Sequence, residues 1–323
     1  MQCLRTILFG LLCLGQSLSA AGVPELPPLF AQAMVHLRNG RYQQALETTH
    51  ALKNAYPDHP LSYLIAAEAY WGRIYCRTGH ITSKEIWNVA EKESGPEDEA
   101  FNREVDGALR HSEQMRDGSE GLRVPGLGAL YAGLARGTRA RLYAMRDQRL
   151  KAAREGAKMR HELTEAVASD ASLAPDAYLG LGSYNYYADV LSALLKFLRF
   201  FLGIPGGDRD EGLRQLQIAA QEARLGAAVA KYELAHIYGL RERRHGEAAR
   251  LYAELAAEYP GNGMYWLAAA YQTERTGNKA AAIEQLQKAF QAAGRMDAAC
   301  RERIGQATRE ALQRLGAQPS HAD

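Results

Sequence analysis

The chain has 323 residues, and its 39 basic and 37 acidic side chains leave a formal net charge of only +2. This balance excludes a large single-sign field, so the composition gives no reason to expect nucleic acid or an anionic surface as a partner. The strong helix formers Ala, Leu, Arg, Glu and Gln are abundant and alternating runs of Val, Ile and Thr are scarce, which predicts an all-α protein.

The first 21 residues have the pattern of a secretory signal peptide. Arg5 supplies a charged start, a short apolar run follows from Ile7 to Leu14, and Ser19-Ala20-Ala21 offers small residues for cleavage. The apolar run is too short to span a bilayer, which takes about 20 apolar residues. We therefore expect an exported protein, periplasmic or secreted, with a buried N-terminal helix as the alternative interpretation.

Two later stretches align with each other without gaps. In each, a proline is followed six residues later by a large aromatic residue and then by two alanines: Pro57, Tyr63, Ala66 and Ala67 in the first, and Pro260, Trp266, Ala269 and Ala270 in the second. An alanine also precedes each proline by twelve residues, and Ala248 and Ala282 are 34 residues apart. A period of 34 residues is typical of a repeat that consists of two helices.

These residues resemble the pattern of the tetratricopeptide repeat family. Gly40, Tyr42 and Ala45 fit the start of that family's second helix, and Gly277 and Ala282 fit it again. Lys279 stands in place of the tyrosine, and Arg243 stands where a glycine would precede Ala248. The resemblance implies an α-solenoid of helical hairpins at 22–93 and 229–296, followed by a capping helix and tail at 297–323.

The period blurs in the middle of the chain, at 94–228, although helical periodicity persists. We expect a longer hairpin at 127–175 and a further helix from about 176. The acidic stretch Glu91 to Glu104 contains Gly95-Pro96 and predicts an exposed loop. Asp208, with Glu211 three residues later, predicts the N-terminal cap of another helix.

The segment 190–204 is apolar on nearly all sides and is interrupted by Lys196 and Arg199. A helix of this kind is normally buried, so we expect a core helix inside the solenoid. An interfacial helix or partner surface is the second interpretation, and a membrane span is the third.

The residues from Ala177 to Ala220 carry a finer resemblance. They include Tyr178, Gly182, Tyr186 and a Gly-Asp-x-x-x-Gly-Leu element that begins at Gly207. This pattern is similar to an exported bacterial subgroup of tetratricopeptide proteins and, more distantly, to the tetratricopeptide-39 and inclusion-clearance family. The resemblance implies a helical-repeat fold and no activity.

Two cysteines, Cys76 and Cys300, remain after removal of the signal peptide. They could form a disulfide in an oxidising compartment, but two cysteines are not a disulfide framework. We favour two separate buried thiols. No cluster of Cys or His has the spacing of metal ligands, and the sequence has no phosphate-binding or nucleophile-elbow motif, so we expect no metal and no cofactor.

Candidate partner-binding residues are aromatic or basic side chains on the expected inner surface. Aromatic rings with polar tips suit contact on a concave surface, and guanidinium groups suit an acidic partner. The candidates are Tyr70, Tyr184, Tyr186, Tyr232, Arg136 and Arg139, with Tyr63 as the weakest. Packing between helices and a solvated basic face are the alternative interpretations of these residues.

The sequence as a whole predicts a non-catalytic interaction module or scaffold of the cell envelope. It would bind a protein or peptide in its concave groove, without nucleic acid. One alternative is a membrane-peripheral or lipid-handling protein that uses the apolar helix 190–204. A second alternative is an enzyme whose site is not recognisable, although no nucleophile, base and orienting group stand out together.

Overall fold

The computed structural model describes residues 25–78, 94–118, 124–190 and 205–319. Within these ranges the chain forms thirteen α-helices and one short 3-10 helix, without any strand. The α-helices are α1 (Pro28–Arg38), α2 (Tyr42–Ala55), α3 (Pro60–Thr78), α4 (Pro96–Asp117), α5 (Pro125–Met145), α6 (Arg149–Ser169), α7 (Ala174–Asp189), α8 (Arg209–Glu222), α9 (Ala227–Leu240), α10 (His245–Glu258), α11 (Gly263–Arg275), α12 (Lys279–Ala293) and α13 (Ala298–Arg314).

Consecutive helices pack as hairpins, and each hairpin packs on the next one along the chain. The pairs are α1 with α2, α3 with α4, and so on to α11 with α12, and α13 covers the last pair. One hairpin cannot bury its apolar face alone, so the stacking supplies the core. The prediction of an all-α, solenoid-like fold is confirmed. The predicted signal peptide 1–21 and the apolar segment from 191 onward lie outside the described residues.

Four tight turns inside the hairpins hold one residue each in the left-handed backbone region. These residues are Gly40 (φ 71°), Asp147 (φ 55°), Arg243 (φ 55°) and Gly277 (φ 89°). Two of them are the glycines that the sequence alignment matched, and Arg243 is the residue that replaces the expected glycine. The α1–α2, α5–α6, α9–α10 and α11–α12 hairpins therefore share one turn geometry.

The aligned prolines also make the same contact in both halves of the chain. Tyr63 donates a hydrogen bond from its hydroxyl to the carbonyl oxygen of Pro57 (2.9 Å), and Trp266 donates from Nε1 to the carbonyl oxygen of Pro260 (3.4 Å). Each aromatic residue lies near the start of a first helix and ties it to the end of the preceding second helix. The two aligned stretches therefore make equivalent contacts at this position.

Helices α7 and α8 approach each other so closely that glycine is needed at the crossing. A Cβ added at Gly182 would lie 2.9 Å from the carbonyl oxygen of Gly212, and one added at Gly212 would lie 2.6 Å from the backbone nitrogen of Tyr186. Real Cβ atoms do not come so near to backbone atoms. The sequence prediction that Leu181-Gly182 lies at a crossing point is confirmed.

The acidic stretch that predicted a loop is helical from Pro96 onward, so that prediction is wrong for residues 96–104. Pro96 occupies the first helical turn, where a missing N–H costs nothing, and Glu97, Asp98 and Glu99 follow it. Acidic residues there interact favourably with the positive end of the helix dipole. The charge run that resembled a solvated loop is therefore the start of α4.

The two ends of the repeat stack contact each other, because the first hairpin packs against the last two hairpins. Arg38 donates to the hydroxyl of Tyr259 (3.0 Å) and to the carbonyl oxygen of Leu225 (2.8 Å). The side chain of Asn262 donates to the carbonyl oxygen of Arg38 (2.8 Å), and that of Asn39 accepts from the backbone of Gly261 (3.0 Å). These four bonds form one side of a seam between the two ends of the stack.

The other side of the seam is formed at the N-terminus of α2, which is capped by a residue distant in the sequence. No side chain of its own segment caps α2, whose N-cap residue is Arg41. The carboxylate of Asp297, just before α13, accepts a hydrogen bond from the backbone nitrogen of Gln43 instead (3.1 Å). A residue near the C-terminal end of the chain thus accepts a hydrogen bond from a backbone N–H that has no partner within α2.

A disulfide between Cys76 and Cys300 crosses the same seam and joins α3 to α13. Both cysteines are fully buried, and their Cα atoms are 4.9 Å apart. Our interpretation of two separate thiols is therefore wrong. Their separation of 224 positions in the sequence concealed the pairing, because only closure of the stack brings the two helices together.

Candidate functional site

Six tyrosines line the interior of the closed stack, and we call them the tyrosine cluster. They converge from α2, α3, α7, α9, α10 and α11, and they are Tyr42, Tyr75, Tyr187, Tyr232, Tyr252 and Tyr265. The ring of Tyr232 lies 5.5 Å from that of Tyr252 and 5.9 Å from that of Tyr265. Edge-to-face and tilted ring pairs at such distances stabilise the structure beyond the burial of area alone.

The phenols of Tyr75, on α3, and Tyr232, on α9, lie near each other across the interior. Burial raises the pKa of the Tyr75 phenol well above its usual value, and the nearby phenol of Tyr232 raises it further. Burial also raises the pKa of Tyr232 to about 12. Both phenols are therefore neutral at physiological pH.

Glu233 is a buried carboxyl group at the edge of the tyrosine cluster. Burial raises its pKa, against the opposing effects of a hydrogen bond from Tyr187 and of the nearby Arg141 and Arg241. The hydroxyl of Tyr187 donates to Oε1 of Glu233 at 2.6 Å. The interior thus combines phenols, a carboxyl group and guanidinium groups in one network.

Arg141 connects this network to α3. Its guanidinium lies 5.1 Å from the centre of the Trp71 ring and forms an ion pair with Glu68. Glu68 also accepts a hydrogen bond from Thr138 (2.6 Å). Arg141, Glu68 and Thr138 are consequently engaged with each other.

The predicted site residues do not form one surface. Tyr63 stacks on His111 of α4, with ring centres 4.6 Å apart, and Lys53 of α2 lies over its ring. Tyr70 follows two helical turns later and so lies on the same side of α3. Trp71 and Tyr75, which the sequence analysis did not select, are the residues of α3 that reach the interior.

Tyr184 and Tyr186 lie on α7 but in different surroundings. Tyr184 is half-buried, donates to the carbonyl oxygen of Pro205 (2.7 Å) and has the guanidinium of Arg160 over its ring. Tyr186 is fully buried and donates to Glu242 (2.6 Å). Tyr186 therefore packs within the fold, whereas the ring of Tyr184 is partly accessible. Tyr232 belongs to the tyrosine cluster.

Arg136 and Arg139 are both neutralised within the chain. Arg136 lies 3.4 Å from a carboxylate oxygen of Glu155 and 3.5 Å from one of Glu162, and Arg139 pairs with Asp106. An ion pair with a neighbouring helix removes the excess positive charge that would attract an acidic partner. The sequence could not show this, because the carboxylates lie on α4 and α6.

The spacing of the aromatic residues on α3 was the feature of the sequence from which part of the tyrosine cluster could have been predicted. Trp71 and Tyr75 are four residues apart and so occupy one face of α3. The partners of that face, Arg141 and Tyr232, are separated from it by long stretches of chain and could not be assigned from spacing. Among the described residues no group of three or more His, Cys, Asp or Glu side chains could hold a metal ion.

The similarity of this chain to known proteins is found among solved structures. No protein-family model matches the chain, and no curated protein matches it. Among solved structures, the C-terminal part of a TPR repeat-containing protein from Cytophaga hutchinsonii is similar at 14% sequence identity, with a TM-score of 0.40. The match covers 89% of this chain and 87% of that one.

Proposed function

We propose that this chain is an exported, non-catalytic helical-repeat protein that binds a protein or peptide partner in the cell envelope. The observation that carries the proposal is the continuous stack of helical hairpins, from α1 to α13. Stacked hairpins create extended surfaces along which a partner can make many contacts. No stretch of the sequence suggests a chemical step in addition to binding.

The disulfide supports the exported location. Disulfides form and persist in the periplasm and outside the cell, and they are rare in the reducing cytosol. Cys76 and Cys300 close the seam of the stack, so the native fold incorporates a bond that an oxidising compartment favours. The signal-peptide pattern of residues 1–21 is in accord with the same location.

The chemistry of the interior supports the non-catalytic part of the proposal. The phenols of Tyr75, Tyr187 and Tyr252 have strongly raised pKa values because of burial, so they are poor bases and poor nucleophiles at neutral pH. We infer that the tyrosine cluster holds the repeats together and that a partner contacts the outside.

The partly accessible tyrosines Tyr70 and Tyr184 are the contact residues that we retain. Neither ring is fully buried, and Tyr184 is framed by the cationic side chain of Arg160. An aromatic ring with a polar tip beside a positive charge suits an acidic or polar peptide.

Affinity capture from the native cell envelope with the mature protein tests this function. Alanine at Tyr184 is expected to reduce the captured partner at least tenfold. Alanine at Tyr143 is the matched control, because that tyrosine is also partly exposed and lies beneath the ammonium group of Lys151. Circular dichroism must show that both variants are folded.

Equal capture by the wild-type protein and the Tyr184 and Tyr70 variants would contradict the contact surface. Failure to capture any protein, together with flotation of the mature protein on liposomes, would contradict the function and favour the membrane-peripheral alternative. No described helix is long and apolar enough to cross a membrane.

A further inference from the structure

A recess of about 400 Å³ lies beside the turn between α9 and α10. It is lined by two arginines, one histidine and the end of α9, namely Gly239, Leu240, Arg243, His245 and Arg275. None of these residues belongs to the tyrosine cluster. The polar lining of the recess consists of basic side chains.

The positive charge of this recess is not compensated within the fold. Among the residues that the structure describes, neither Arg243 nor Arg275 has an ion pair or a side-chain hydrogen bond. The nearest acidic residues along the sequence are each paired with another arginine: Glu242 with Arg209, Glu247 with Arg244, and Glu274 with Arg314. Two guanidinium groups therefore remain available to a ligand.

His245 is held in place at the rim of the recess. Its Nδ1 donates to Oε1 of the buried Gln272 (2.9 Å), which directs the imidazole from α11 and leaves Nε2 for another contact. Gln272 can lie there because residue 239 is glycine: a Cβ at that position would be 2.4 Å from the amide nitrogen of Gln272. His245 is also the first residue of α10, whose N-terminus has no side-chain cap.

Arg243 occupies a backbone conformation that favours glycine. Its φ of 55° matches the left-handed turn residues Gly40 and Gly277, which take the equivalent place in other repeats. A bulky side chain in this region is strained, and strained residues are concentrated at functional sites. Here the strained residue is one that lines the recess.

We propose that this recess binds an oxyanion of the phosphate type, with Arg243 and Arg275 as the charged contacts and His245, when both of its ring nitrogens carry a proton, as an additional donor through Nε2. A guanidinium group offers a planar fork of N–H donors that matches the oxygens of phosphate. Two such groups, without internal carboxylates to neutralise them, favour a doubly charged anion over a singly charged one. The inference rests on the recess itself and does not depend on the proposed partner binding.

The test measures binding of inorganic phosphate to the mature protein by calorimetry at low ionic strength, with the melting temperature as a second reading. R243G and R275Q are each expected to weaken phosphate binding tenfold or more. R243G should nevertheless melt at the same temperature as the wild type or higher, because glycine relieves the backbone strain. A loss of binding without a loss of stability separates recognition from folding.

D147G is the matched control, since Asp147 has the same φ and lies outside the recess. It should bind phosphate as the wild type does. Vesicles of phosphatidic acid in phosphatidylcholine, compared with phosphatidylcholine alone, distinguish a lipid headgroup from free phosphate as the source. Undiminished phosphate binding by both R243G and R275Q would overturn the proposal. Equal binding of succinate and phosphate would overturn it too, as would the absence of binding to both inorganic phosphate and phosphatidic acid vesicles.

Discussion

At the scale of single residues, the turns inside the hairpins show how backbone conformation selects side chains. Gly40 and Gly277 occupy the left-handed region at no steric cost, whereas Asp147 and Arg243 adopt it with a side chain. An L-residue with a Cβ is disfavoured there by roughly 1–2 kcal/mol. The repeat can therefore accept a non-glycine residue at this place, at a measurable cost in stability.

Replacement of Gly277 by alanine should lower the free energy of unfolding by roughly 1–2 kcal/mol. No atom lies within 4 Å of the added Cβ, so backbone strain alone is responsible. Gly246 is the matched control, because it has equally open surroundings but lies in the first turn of α10 with an ordinary φ. Urea unfolding should show that Gly246→Ala is neutral or slightly stabilising; equal losses in the two variants would refute this explanation.

His236 makes stability depend on pH. Burial, with a smaller contribution from Arg241, lowers the pKa of its imidazole to about 3, whereas the unfolded chain has the ordinary value of 6.5. Unfolding therefore takes up a proton below pH 6.5, and the folded state loses stability as the pH falls from there towards 3. The contribution of this residue between pH 7.5 and pH 5.0 is about 2 kcal/mol.

Urea unfolding of the wild type and of His236→Gln at both pH values measures this contribution. The variant cannot titrate at this position, so its loss of stability on acidification should be about 2 kcal/mol smaller. The comparison uses the change with pH and not the absolute stability, which the substitution itself alters. Parallel pH profiles would show that His236 is not responsible.

At the scale of elements, α4 is attached to α5 by a buried ion pair. Arg146 donates to both carboxylate oxygens of Asp98, from Nε at 2.8 Å and from Nη2 at 2.6 Å. The same carboxylate accepts from the backbone nitrogen of Gly95 (3.2 Å) and so caps α4. One side chain thereby determines where α4 begins and where it lies against its neighbour.

Asp98→Asn should lower the free energy of unfolding by about 3–5 kcal/mol, because it leaves the guanidinium of Arg146 buried without its charge partner. Glu99→Gln serves as the control. It breaks the exposed pair with Arg103 on the same helix and should cost less than about 1 kcal/mol. Guanidinium chloride unfolding checks both values. Similar costs for the two variants would mean that the buried pair does not hold α4.

At the scale of the whole molecule, closure distinguishes this stack from an open solenoid. In an open stack each repeat contacts only its neighbours, so stability is a sum of local contributions. Here Arg38, Asn262 and Asp297 connect the two ends, and the Cys76–Cys300 bond makes the connection covalent. We therefore expect the repeats to unfold in one cooperative transition.

Loss of the disulfide should lower the free energy of unfolding by about 5 kcal/mol, since the bond closes a loop of about 224 residues in the unfolded chain. Cys76→Ala, Cys300→Ala and the double variant should be nearly equal in stability, because either substitution alone opens the loop. Denaturant titrations of the three proteins measure this. Costs that add in the double variant would show that the cysteines contribute separately.

Local patterns in the sequence were sufficient for the repeat architecture. The proline and aromatic pairs at 57 and 63 and at 260 and 266, and the glycines at 40 and 277, report interactions within a few residues of the chain. The same is true of Asp208, which caps α8 by accepting from the backbone of Asp210 and Glu211 as predicted. Helix ends and turns depend on their own neighbours, so their residues identify them.

The closed seam, the disulfide, the tyrosine cluster and the neutralisation of Arg136 and Arg139 were decided only by the tertiary structure. Each depends on residues from distant helices, and no pattern within a single repeat specifies how the first hairpin meets the last. The sequence by itself determined the helical hairpins and their register, because hydrophobic periodicity and turn chemistry are local. Which side chains face one another across the interior follows from how far the stack curves, and that is a property of all the repeats together.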